Sequence, residues 1–192
     1  RLLDGPLSPR SVRQAMGILS GLFGYLVAAG YLAGNPLALR RRRSESKSSR
    51  RSAVERYLDH ALWQSVLDYI DTMPQDSARE RQHYERVRWL FRLIYGAALR
   101  ASEVAQAKSG DLELRRGKWW LRVIGKGNAV GDVPISDELM DDFARYRRFY
   151  GLSAVPVAPE ETPLVMSVTG RTDRFLTSTA IYLIVKEVFR RA

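Results

Sequence analysis

The chain has 192 residues, no cysteine, and 31 Lys plus Arg against 21 Asp plus Glu, a formal charge of +10. With 45% hydrophobic residues it is too apolar for a disordered chain at that charge, and without cysteine it has neither a disulfide scaffold nor a thiolate metal site. This describes a soluble, globular, intracellular protein of one or two domains, whose surplus charge implies a polyanionic partner, either nucleic acid or an anionic membrane.

From the N-terminus, Ser8 or Ser11 can cap a helix whose apolar positions Val12, Met16, Leu19, Leu22, Phe23, Leu26 and Val27 recur at helical spacing, with Gly34-Asn35-Pro36 as its stop. Residues 14–39 carry no charge, Gly17 and Gly21 form a GxxxG, and four arginines follow, so the stretch also admits a membrane-spanning reading. The opposite face, with Arg13, Gln14, Gly17, Ser20, Gly21 and Gly24, offers lipid little to contact and favours a bundle helix. Asp4 and two prolines upstream are unlike the basic start of a secretory signal. Next come Arg40, Arg41, Arg42, Arg43, Lys47, Arg50 and Arg51 against Glu45, a net +6 in twelve residues that leaves +4 for the other 180. Interleaved with serines and lacking an apolar face, this run reads as a linker. The expected organisation is a helical piece over 1–36, a basic linker over 37–53 and a larger domain over 54–192.

In that larger domain, Val54, Tyr57, Leu58, Leu62, Val66 and Ile70 predict a helix ending near Met73-Pro74. From Arg81 a second helix carries the stripe Val87, Leu90, Phe91, Ile94 and Ala98, with Arg88 and Arg92 on its wet side. Ser102 reads as the cap of a short helix running toward Lys108 and ended by Gly110-Asp111. Residues 119–124 and 133–135 flank Gly125-Lys126-Gly127-Asn128, two strands around a Gly-rich turn. Leu139, Phe143 and Tyr146 mark a third helix, and Ile181, Ile184, Val185 and Val188 a last one capped near Thr177 or Ser178. The expected class is mainly α with a small antiparallel β-sheet (α+β).

His60 and His83 are the only histidines, and neither lies within a constellation spaced for a metal, so none is expected. No GxxxxGK[ST] is present to support nucleotide hydrolysis. Arginine and lysine are then the reactive candidates. Arg100 follows the end of the second helix, where a side chain can leave the apolar face, and Lys126 sits at a hairpin tip whose glycines allow close approach to a ligand. A guanidinium and an ammonium together suit a phosphodiester, although each taken singly reads better as a solvated or structural charge.

Their order and surroundings form a pattern. The run Tyr95-Gly96-Ala97-Ala98-Leu99-Arg100-Ala101-Ser102-Glu103-Val104 resembles the first arginine box of the tyrosine recombinases, the phage integrase family. Residues 123–128 followed by Val133-Pro134-Ile135 look like that family's β-hairpin with its catalytic lysine. The N-terminal piece, from Leu7-Ser8-Pro9-Arg10-Ser11 through Tyr25-Leu26 to Gly34-Asn35-Pro36, is similar to the end of the family's helical core-binding (SAM-like) domain. The resemblance covers nearly the whole chain. It implies a C-shaped clamp on double-stranded DNA, cleaved and rejoined through a 3′-phosphotyrosyl intermediate with no metal and no cofactor. Arg100 matches the first catalytic arginine, Lys126 the general acid, and Glu103 the carboxylate that supports the arginines. Arg10 and Arg13, with Gln14, become plausible DNA readers, and the seven basic linker residues become phosphate contacts. The intact protein, bacterial or phage, is then expected to act as a homo-oligomer, a tetramer on DNA, in the cytoplasm in association with the nucleoid and not at a membrane.

The chain departs from the family at several points. Ala98 stands where the family usually has Gly. In the family a His-x-x-Arg box, a further His or Trp and the nucleophilic tyrosine follow the helix that ends here at Phe189-Arg190-Arg191-Ala192, and none is matched. His83-Tyr84-Glu85-Arg86 has the letters of that box but precedes Arg100. Tyr182, the last tyrosine, falls in the final apolar stripe and reads as a core residue. The expectation is a fragment of a longer recombinase, with a DNA-binding relative that does not cut as the alternative. On either reading the 192 residues bind duplex DNA without forming a covalent adduct.

Overall fold

Ser8 opens the first helix: its Oγ accepts from the Ser11 amide (3.1 Å), and Pro9 takes the first helical position of α1 (Pro9–Ala28). The computed structural model describes residues 8–38, 58–168 and 173–192. Helix α1 ends before Gly30, which turns left-handed (φ 77°), and so stops earlier than Gly34-Asn35-Pro36 would have it. Asn35 instead ties the following turn back, its Nδ2 donating to the Ser20 carbonyl (3.1 Å) and its Oδ1 accepting from Leu37 N (2.9 Å). No residue of α1 is buried, and Leu19, Leu22 and Tyr25 are exposed. Among the described residues no helix is long and apolar enough to cross a membrane.

The chain divides into two compact units, residues 1–56 and 57–192. The second is mainly α with one three-stranded antiparallel sheet in the order β1-β2-β3. It begins with α2 (His60–Asp71), capped by Asp59, whose Oδ1 accepts from Leu62 N (2.7 Å). Val54 and Tyr57, expected in this helix, lie outside the described residues. Helix α3 (Ala78–Ala97) starts three residues before Arg81 on a capping box, Ser77 with Glu80. A short α4 (Ala101–Gln106) follows, then β1 (Leu112–Arg115), β2 (Lys118–Ile124), β3 (Val130–Ile135), α5 (Asp137–Phe149) and α6 (Ser178–Arg191). Thr177 caps α6 through Oγ1 (3.1 Å from Ala180 N).

Helix α3 is the centre of this unit because it is apolar on two faces. Trp89, Leu90 and Leu93 join Leu121 and Val123 of β2, Ile135 of β3, Phe143 and Tyr146 of α5 and Ile181 of α6 in the larger core. Tyr84, Val87 and Phe91 pack with Trp63, Val66 and Ile70 of α2 and Val188 of α6 in a smaller one. The side expected to be wet faces α5: Arg88 pairs with Asp142 (2.8 Å), Arg92 reaches the same carboxylate (3.3 Å), and Arg145 returns to Glu85 (2.8 Å). Tyr182 corrects another expectation. It is 58% exposed, because one residue beyond buried Ile181 a side chain is rotated about 100° around the helix.

Candidate active site

The site starts with a break in the chain. Ala97 is buried at the end of α3, Ala98 adopts a left-handed conformation (φ 50°, ψ 34°), and Leu99 returns to the core. Arg100 then stands extended (φ −75°, ψ 151°) at the N-cap of α4. Ser102, expected to cap this helix, lies inside it. Arginine offers no acceptor at a cap, so Glu103 supplies the stabilising contact: its Oε2 accepts from Arg100 N (2.8 Å) and its Oε1 from Arg100 Nη1 (2.7 Å). The Glu103 side chain is only 7% exposed while that of Arg100 is 75% exposed, so a sheltered carboxylate steadies a guanidinium that remains open to solvent. The hydrogen bonds from the Arg100 amide and guanidinium hold the Glu103 carboxyl below the ordinary carboxylate range.

The hairpin turn arrives at the same place. Gly125 N donates to Ala129 O (2.7 Å) and Asn128 N to Gly125 O (3.2 Å), while Gly127 (φ 73°) and Asn128 (φ 66°) take the left-handed conformations that reverse the chain. The register continues outward from it with Ile124 opposite Val130 and Val123 opposite Gly131. A Cβ on Gly125 would lie 3.7 Å from Glu103 Oε1 and 3.4 Å from Ala129 O. The backbone just before Lys126 is therefore packed against the Arg100–Glu103 pair. In the sequence, membership of the Gly-rich turn is the only signal that Gly125 carries, and it does not point to this contact.

Arg10 and Arg13 lie exposed on α1 in the first unit. Arg40, Arg41, Arg42, Arg43, Lys47, Arg50 and Arg51 lie outside the described residues. His83 and Arg86 share a turn of α3, with Arg86 Nη2 2.8 Å from His83 Nδ1. Among the described residues no group of three or more His, Asp or Glu is placed to hold a metal ion.

The model of the phage integrase family matches residues 56–151, which contain Arg100, Glu103 and Lys126. The chain is 25% identical over 177 residues to tyrosine recombinase XerC of Chlorobaculum tepidum, covering 88% of this chain and 52% of that protein. It is 28% identical over 169 residues to tyrosine recombinase XerD of Xanthomonas axonopodis pv. citri, covering 88% and 49%. Among solved structures, XerH site-specific recombinase bound to palindromic difH substrate aligns with 70% of this chain and 35% of its own, at 22% identity and a TM-score of 0.49. The chain belongs to the phage integrase family, and its curated relatives are tyrosine recombinases. It spans about half the length of the curated relatives it matches.

Proposed function

We propose that the intact protein is a site-specific recombinase that binds duplex DNA and cleaves and rejoins it through a 3′-phosphotyrosyl intermediate, and that this chain carries part of its catalytic region. The observation behind the reading is the packing of the Gly125 backbone against Glu103, which joins an arginine–glutamate pair and a lysine-bearing turn from different elements. A scissile phosphate bound there would meet a guanidinium and an ammonium. In the cleavage step a tyrosine oxygen bonds to phosphorus, the bond from phosphorus to the 5′-oxygen breaks, and Lys126 gives its proton to the departing oxygen. Arg100 balances the charge that grows on the non-bridging oxygens, a preorganised contribution of about 3–4 kcal/mol. Glu103 is a positioning residue that acts through Arg100. The step needs no metal and no cofactor.

Within this reading residues 1–36 are the end of the core-binding domain, 37–53 the linker and 54–192 the first part of the catalytic domain. Arg10 and Arg13 follow the DNA, and the basic run over 40–51 contacts its phosphates. The intact protein works as a tetramer on DNA in the cytoplasm. The test uses the 192 residues as they are: they should retard a labelled duplex yet leave no covalent adduct on a nicked suicide substrate. Failure to bind duplex DNA contradicts the proposal, and a trapped phosphotyrosyl adduct contradicts the division of labour.

A further inference from the structure

His83 and Arg86 belong to a sequence motif that the recombinase reading leaves unused, and they line a cleft of about 800 Å³. The cleft brings together Arg79, His83 and Arg86 of α3, the buried Ser167, and Arg174 from the segment before α6. Glu80 is the carboxylate among its described lining residues, and its Oε2 is committed to the α3 cap, accepting from Ser77 N (2.8 Å) and Ser77 Oγ (2.9 Å). Three guanidinium groups against one carboxylate leave this lining two positive charges in excess.

Arg86 distinguishes the cleft from a solvated basic patch. It is 9% exposed, and a charge taken out of water is costly unless an anion accompanies it. Its Nη2 donates to His83 Nδ1 (2.8 Å). A guanidinium cannot accept, so that nitrogen carries no proton and the imidazole is neutral. Burial, and then the charges of Arg86, Arg191 and Arg79, hold His83 below its ordinary value, in keeping with that state. Arg86 Nε is buried and makes no hydrogen bond, and the adjacent Glu85 is taken by Arg145 (2.8 Å). Among the described residues, no carboxylate acts on Arg86.

The geometry points to a phosphate-type oxyanion as the ligand of this cleft, with Arg86 as the buried anchor and Arg79 and Arg174 as its exposed partners. A phosphate dianion matches the excess of two charges, and its oxygens accept from several guanidinium forks at once, which a halide cannot do. The site does not depend on the recombinase reading and can stand or fall without it.

The experiment follows the His83 ring resonances of the whole chain by NMR as inorganic phosphate is added at constant ionic strength, with chloride as the control and His60, exposed on α2, as the internal reference. A saturable shift at His83 alone is expected, with affinity reduced roughly tenfold in Arg174→Gln and lost in Arg86→Met. Arg86→Met removes a buried side chain and can unfold the protein, so the exposed Arg174→Gln variant carries the test by itself. The source of the group is read by competition: displacement of phosphate by a duplex oligonucleotide identifies a backbone phosphodiester, and displacement only by a mononucleotide identifies a terminal phosphate. Either result supports the site. A His83 resonance that responds to phosphate no more than to chloride, or equally in Arg174→Gln, overturns it.

Discussion

Ala98 holds a left-handed conformation (φ 50°, ψ 34°) at the point where α3 must end for Arg100 to leave it. A Cβ in that region costs about 1–2 kcal/mol, of which glycine recovers part and gives back some through the greater freedom of the unfolded chain. Ala98→Gly should therefore raise the unfolding free energy by about 0.5–1 kcal/mol in urea titrations, and a loss of stability would contradict the strain. The sequence marks Ala98 as a departure from the family, but composition has no way to report a dihedral angle. Glu103 makes a second residue-scale prediction. Its carboxyl is held below the ordinary value of 4.5 by Arg100, so its contribution is fully present above that value and is lost as pH falls through the folded pKa. In urea titrations between about pH 6 and pH 3, the stability gap between the native chain and Glu103→Gln should narrow toward acid. A gap that stays constant across that range would separate Glu103 from the pair.

At the scale of elements, the sequence pattern reaches the helices and the central hairpin because their apolar periods are long, and it fails where the decisive partner is distant or the element short. Strand β1 has no counterpart in that pattern. It has four residues, of which only Leu112 is buried, and it joins β2 through Arg116 (φ 52°) and Gly117 (φ 75°), a two-residue turn whose left-handed angles suit a hairpin. An arginine is a weak signal for such a turn. Arg147 is likewise unreadable. On the apparent polar side of α5 it is 1% exposed, with Nη1 and Nη2 on Glu160 (2.7 and 2.9 Å) and Nε on Ser153 O (2.6 Å). Burial pushes the Glu160 carboxyl up, but the hydrogen bonds from Arg147 and Thr162 together with the Arg147 charge outweigh it and leave it below the ordinary range. The pair fastens the loop after α5 to the helix, and no periodicity could pair a helical arginine with a loop carboxylate. Arg147→Ala leaves Glu160 without its partner and should cost about 3–5 kcal/mol, read as a lowered urea midpoint. A cost below about 1 kcal/mol would mean that the loop is held by other contacts. Tyr182 shows the converse error, in which neighbouring apolar positions lend their phase to a residue that points away from them.

At the scale of the whole molecule, the positive charge falls in three places. The run over 40–51 holds most of the surplus, a few cations surround the cleft at Arg86, and Arg100 stands with Glu103 beside the Gly125 turn. Only the first is legible from composition, and the third from a resemblance in sequence order; the approach of Gly125 to Glu103 requires the fold. If the run contacts phosphates, replacing its seven basic residues by glutamine should flatten the dependence of log affinity for duplex DNA on log salt by several units, about 0.9 for each phosphate that is no longer neutralised. An unchanged slope would mean that the run is a solvated spacer.

Whether Lys126 protonates the departing 5′-oxygen beside Arg100 is read most directly from leaving-group chemistry. In the intact recombinase, cleavage of a suicide duplex by Lys126→Ala is compared for the ordinary scissile phosphate and for one whose bridging 5′-oxygen is replaced by sulfur. A thiolate leaves without a proton, since a thiol ionises near about pH 8.5 and an alcohol far above it. The account predicts that Lys126→Ala cleaves the ordinary substrate slowly and recovers a rate close to that of the native enzyme on the sulfur substrate, with duplex affinity nearly unchanged. Arg100→Ala should remain slow on both. Equal slowing of Lys126→Ala on the two substrates would contradict the assignment of the proton to Lys126.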